Sequence, residues 1–106
     1  MQFFKIPQND QQLIWTKHVI EKMKYYQLSE SCLKKLLRSY ARRETGIAMD
    51  TIALMMPAGS KRQTEIWLMY QKEKGKIKII TAWRYPGVSP KKEIPLPEEI
   101  RRDLNI

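Results

Sequence analysis

The sequence predicts an α+β fold, with an N-terminal helix hairpin packed on a three- to four-stranded, mainly antiparallel sheet and a short C-terminal helix. Three observations carry that expectation. Apolar residues recur at helical spacing between residues 17 and 40, strand-forming runs rich in β-branched and aromatic residues occupy residues 51–85, and prolines interrupt both patterns from residue 88 onward. Helices first and strands second is the order of a fold whose helices cover one face of a sheet. A chain of 106 residues is long enough for one core and too short for two, so a single domain is expected over residues 1–87, followed by a Pro-rich extension over 88–106.

Leu13-Ile14-Trp15-Thr16 is short and apolar enough for a first strand. Thr16 is also suited to cap a helix carrying Val19, Ile20, Met23 and Tyr26 on one face. Ser29 is the N-cap expected for a second helix, with Cys32, Leu33, Leu36, Leu37 and Tyr40 at helical spacing. The short link through Gln27 and Leu28 suits packed neighbours of opposite direction. Arg42–Ile47 is a weak strand candidate, Thr51–Met56 a better one, and Glu65–Gln71 and Ile77–Tyr85 are the best. Ile66, Leu68 and Tyr70 alternate with Trp67 and Met69, leaving that strand almost no polar face, so it belongs inside the sheet. The turn before the last strand contains Lys74-Gly75, which suits a two-residue hairpin. With that turn, Glu65 is expected opposite Arg84, and Trp83 on the same face as Ile77 and Ile79. Pro97 is placed to open a helix ending near Leu104, with Ile100 and Leu104 as its apolar stripe.

Twenty Lys and Arg against eleven Asp and Glu give a formal charge of +9. On a body this small, such a charge favours polyanionic partners, nucleic acid above all, through phosphate neutralisation. The apolar run Ile52–Met56, which none exceeds in length, is far short of the roughly 20 residues of a membrane span, and no membrane partner is expected. The N-terminal residues lack the pattern of a secretory signal and Cys32 is the only cysteine, so a cytoplasmic protein is expected. One Cys and one His build no zinc site and there is no Gly-rich phosphate loop, so neither metal nor cofactor is expected.

Metal-free cleavage of RNA can use the 2′-hydroxyl of the RNA as nucleophile, which leaves the protein to move protons and stabilise charge on phosphate. Arg84 can clamp a phosphate in two-pronged fashion, and Tyr85 or His18 can transfer a proton. Arg84 and Tyr85 alternate along a strand, so both reach one site only if the strand bends at Pro86. Lys61 and Arg62 lie in a loop of small and hydroxylated residues fit to contact an anion. Arg42, Arg43 and Lys78 add cations, although Arg42 and Arg43 can equally complement the C-terminal dipole of the preceding helix. The same residues serve a nucleic-acid-binding module or a protein-interaction domain without catalysis.

The order of elements, together with Trp83-Arg84-Tyr85 at the end of the last strand, resembles the RelE/ParE-like toxin superfamily. More narrowly, Trp15-Thr16-Lys17-His18-Val19-Ile20-Glu21-Lys22-Met23 followed by Gln27-Leu28-Ser29-Glu30 is similar to the opening of small BrnT-like proteins, except that Gln27 stands where Gly is common. That resemblance implies a metal-independent endoribonuclease, ribosome-associated or free, neutralised by a cognate antitoxin protein. It also implies that Arg84 stabilises the scissile phosphate while Tyr85 or His18 moves a proton.

Overall fold

The computed structural model describes residues 4–106. Within them the chain forms β1 (Leu13–Trp15), α1 (Lys17–Tyr26), α2 (Glu30–Arg38), β2 (Arg42–Thr45), β3 (Thr51–Ala58), β4 (Thr64–Glu73), β5 (Lys76–Tyr85) and α3 (Glu98–Leu104). The strands make one five-stranded sheet in the order β1-β5-β4-β3-β2. The α+β class is as expected, but the sheet is larger and mixed, because β1 pairs with β5 in parallel. Three residues suffice for β1 because its neighbours hold it: Asn9 Oδ1 accepts from Trp15 N at 2.7 Å, and Asp10 Oδ1 accepts from the backbone N–H groups of Gln12 and Leu13.

Thr16 ends the strand and starts the helix. Its hydroxyl accepts from Val19 N at 3.1 Å and faces the β5 carbonyl of Ile79 at 2.8 Å, so α1 is fixed to the sheet at its first turn. From there α1 runs beside the second half of β5, with His18 next to Thr81 and the helix C-terminus next to Arg84. Gln27 closes α1 in the left-handed region at φ 57°, a conformation that costs a non-glycine residue about 1 kcal/mol. Ser29 caps α2 by accepting from Cys32 N. The second helix lies over β3 and β4, starting near Arg84 and leading back to β2, and shares one core with α1, roughly as the expected hairpin.

Val19, Met23, Leu28, Leu33 and Leu36 from the helices meet Leu54, Ile66, Leu68 and Ile79 from the strands, all nearly fully buried. Burying such side chains contributes about 1.5–3 kcal/mol each relative to leaving them exposed. The central strand is β4, and its other row of side chains, Trp67 and Met69, joins Ala53, Met55 and Trp83 in a second core. There the Trp67 and Trp83 rings stack 5.8 Å apart. Residues beyond β5 cover this face, with Ile94, Leu96 and Leu104 packed on it and Ile100 fully buried. Glu98 and not Pro97 is the first residue of α3, with Pro97 as its N-cap.

The hairpin turn is Lys74-Gly75 with both residues at positive φ, as the sequence suggests, and Glu73 pairs with Lys76. The register does not continue as a regular ladder would. Met69 pairs with Thr81 while Tyr70 pairs with Ile79, so Ile80 is an extra residue, a β-bulge. One inserted residue reverses the alternation beyond it. Trp83 therefore lies on the face opposite Ile79, and Glu65 stands opposite Tyr85 instead of Arg84.

Candidate functional site

Arg84 is drawn to the helix-bearing face by the bulge and meets the C-terminus of α1. Its Nε and Nη2 donate to the carbonyl of Tyr26 at 3.3 and 3.2 Å, and Nη2 also approaches the Gln27 carbonyl at 3.4 Å. The last carbonyls of a helix lack intrahelical partners and carry the negative end of its dipole, so a guanidinium is well matched to them. Those bonds engage the Nε and Nη2 edge of the guanidinium, while Nη1 makes no hydrogen bond among the described residues. Burial holds the Cys32 thiol above its ordinary range, and the nearby Arg84 and Lys35 charges only partly oppose it.

Tyr85 stays on the other face, half-buried against the Trp67 and Trp83 cluster, since β5 remains paired with β4 as far as Tyr85, opposite Glu65. His18 lies at the start of α1, where Nε2 is 2.9 Å from Thr81 Oγ1 and Nδ1 is 4.0 Å from Asp103 Oδ2. Burial lowers the tendency of its imidazole to hold a proton, the charge of Lys22 lowers it further, and Asp103 and Glu21 oppose both. From His18 to the Tyr26 carbonyl that Arg84 binds, the helix rises by eight residues, about 12 Å. The sheet itself separates Arg84 from Tyr85. His18, Arg84 and Tyr85 thus sit at three separate places.

Arg42 also serves the fold, although not by complementing α2. It lies on the second face, over the Trp67 ring at 5.0 Å, donating to Ser89 Oγ at 2.7 Å, to Glu44 and to the carbonyls of Lys91 and Glu93. Glu65, only 1% exposed, completes this clasp by accepting from Trp67 Nε1 and from Ser89 N. Lys78 pairs with Glu73 at 3.6 Å. Sequence reading missed the clasp because Arg42, Glu65 and Ser89 are far apart along the chain; the sequence signal is a carboxylate at position 65 directly before the apolar run Ile66–Tyr70.

The remaining predicted cations are differently placed. Lys61 and Arg62 are exposed in the loop joining β3 to β4, at the end of the sheet where β5 finishes. Arg43 pairs with Leu54 at the β2 edge, so it projects on the helix-bearing side. Over that same half of the sheet α2 turns Leu33 and Leu36 inward and leaves Lys35 and Arg38 exposed. None of these five makes an ion pair among the described residues. An open groove of about 710 Å³ lies beside the α1–α2 connection, with Lys5, Lys24 and Lys34 along it, and none of the predicted catalytic residues lines it.

A second polar assembly joins α1 to α3. His18, Lys22 and Tyr26 follow one another at intervals of four residues on α1, and Glu99 and Asp103 do the same on α3. Tyr26 donates its hydroxyl to Glu99 Oε1 at 2.8 Å, and Lys22 Nζ is 3.4 Å from Asp103 Oδ2. Burial and that carboxylate push the Tyr26 phenol far above its ordinary range, so it remains a donor. Matching four-residue spacings on two helices were the available sequence signal.

No helix is long and apolar enough to cross a membrane among the described residues. Comparison of the chain with protein-family models, with curated proteins and with solved structures gives no match.

Proposed function

We propose that this protein binds RNA through the cation-rich end of its sheet, with Lys35, Arg38, Arg43, Lys61 and Arg62 contacting the phosphate backbone. The observation that carries this reading is that all five are exposed and make no ion pair among the described residues. Cations that hold the fold together, such as Arg42 and Arg84, are already hydrogen-bonded within the chain. Unpaired ones are available for counterion release.

Binding is supported over cleavage. An endoribonuclease of the RelE/ParE type would need Arg84 beside a proton-transfer group on one phosphate, and the separation of His18, Arg84 and Tyr85 gives that reading no single site. A toxin role with a cognate antitoxin therefore rests on the resemblance alone.

The test is fluorescence anisotropy with a labelled single-stranded RNA over a range of salt concentrations. The wild type is expected to bind with a steep inverse dependence on salt, and Lys61→Ala/Arg62→Ala to lower the log–log slope by about 1.4, at roughly 0.7 per phosphate contact. Lys72→Ala, near the other end of the sheet, is expected to leave the slope unchanged. Salt-independent binding, or equal slopes for wild type and the double variant, would overturn the proposal. New RNA ends produced by the wild type and lost in Arg84→Ala would favour the nuclease instead.

A further inference from the structure

The geometry points to α3 as a displaceable lid: Glu99 and Asp103 hold, in cis, places on the His18–Lys22–Tyr26 stripe of α1 that phosphates of an RNA strand take when the lid lifts. This extends, and rests on, the RNA-binding reading of the preceding subsection.

The stripe has the chemistry of an anion subsite. Tyr26 offers a hydroxyl donor, Lys22 an ammonium, and His18 a ring nitrogen facing Asp103. All three currently face carboxylates borne by one short helix. Carboxylate and phosphate oxygens accept the same bonds from the same donors, so the acidic face of α3 imitates the ligand that a chain of charge +9 would attract.

The lid is also lightly held. With seven residues it is too short to be helical without its docking surface. Its N-cap Pro97 supplies no side-chain bond. Ile100 is its only buried residue, with Leu104 packed beside it, and Asp103 is half exposed. The chain before it is fixed separately, by Glu65 and Arg42 at Ser89 and by Arg42 at the carbonyls of Lys91 and Glu93. Residues 98–106 can therefore leave while the clasp stays closed.

Trp83 lies in the cluster that Ile100 seals; its Nε1 is buried without a hydrogen-bond partner among the described residues, as is Trp15 Nε1 in the other core. Lifting α3 opens the cluster that holds this indole, two residues along β5 from the Thr81 that His18 contacts.

Anisotropy with the same labelled RNA, on the full-length protein, tests the lid. Ile100→Ser is expected to undock α3, read as faster hydrogen exchange at residues 98–104, and to tighten RNA binding about tenfold. Glu99→Gln/Asp103→Asn, which leaves the apolar seal intact, is expected to tighten it more than the charge-matched Glu93→Gln/Glu98→Gln, whose carboxylates are exposed. Adding Lys22→Met to Ile100→Ser or to Glu99→Gln/Asp103→Asn is expected to cancel the gain. If the wild type binds RNA but the undocked variant binds no tighter, the lid is overturned and the RNA-binding reading stands. The lid also falls if the two pairs of carboxylate variants bind alike, a comparison that holds even if Ile100→Ser does not fold. Absence of binding by every variant overturns both readings.

Discussion

On the helix-bearing face of the sheet, Val19, Met23, Leu33, Leu36, Leu68 and Ile79 are completely buried, and the closure is apolar apart from Arg84 at its rim. On the opposite face the Trp67–Trp83 stack is covered by an extended segment and one short helix, held by directed polar bonds from Arg42, Glu65, Tyr26 and Lys22. The difference is one of cooperativity. Apolar burial is non-directional and shared among many neighbours, so that face is lost only when the whole domain unfolds. A cover held by a few oriented bonds can open in part, because each bond depends on one geometry and exposed ion pairs contribute at most about 1 kcal/mol.

The largest expected effect comes from truncating one residue on each face. Leu36→Ala is expected to cost about 2–5 kcal/mol of global stability in urea denaturation. Ile100→Ala, although it too removes a fully buried side chain, is expected to cost distinctly less globally and to appear chiefly as faster hydrogen exchange confined to α3. Equal global losses for the two substitutions would show that both faces belong to one cooperative unit.

The clasp gives an intermediate effect. Arg42→Ala removes the donor to Ser89, the bonds to the Lys91 and Glu93 carbonyls and the cation over Trp67. A loss of about 1–3 kcal/mol is expected, with exchange accelerated over residues 88–96 and little change in α1 or α2. Loss of protection spread evenly over both faces would contradict the separation between them.

The smallest effect concerns His18, at the junction of α1 and the covering helix. Its folded imidazole resists protonation because burial, then Lys22, outweigh Asp103 and Glu21. The unfolded chain takes up this proton first, so stability should hold above about pH 6.5 and decline as pH falls below it, until the folded imidazole also titrates. His18→Gln should flatten that part of the pH profile measured by thermal unfolding. An unchanged slope between about pH 6.5 and 5 would remove His18 as its source.

Much of this was legible locally. Caps at Thr16 and Ser29, the two-residue turn at Lys74-Gly75 and the interior position of β4 depend on side chains acting within a few residues of themselves. The bulge at Ile80 was not legible, because nothing in a run of alternating strand formers marks which residue goes unpaired. Its consequence is large: it decides that Arg84 faces α1 and that Trp83 faces the covering segment. The candidate site felt this at Arg84 and Trp83, whose surroundings were read from an unbroken ladder, whereas His18 was read from a helix and Lys61 and Arg62 from a loop.

The amino-acid sequence alone determined the class of the fold, the identity of most elements and the basic net charge, because periodicity, capping and net charge are properties of neighbouring residues or of simple sums. Only the tertiary structure decided which cations are spent on the fold and which remain free. Arg84 went to the end of a helix, Arg42 to a clasp and Lys22 to a carboxylate on α3, while Lys61 and Arg62 stayed exposed. That division depends on contacts between residues up to 81 positions apart, as between Lys22 and Asp103, and no local pattern encodes them.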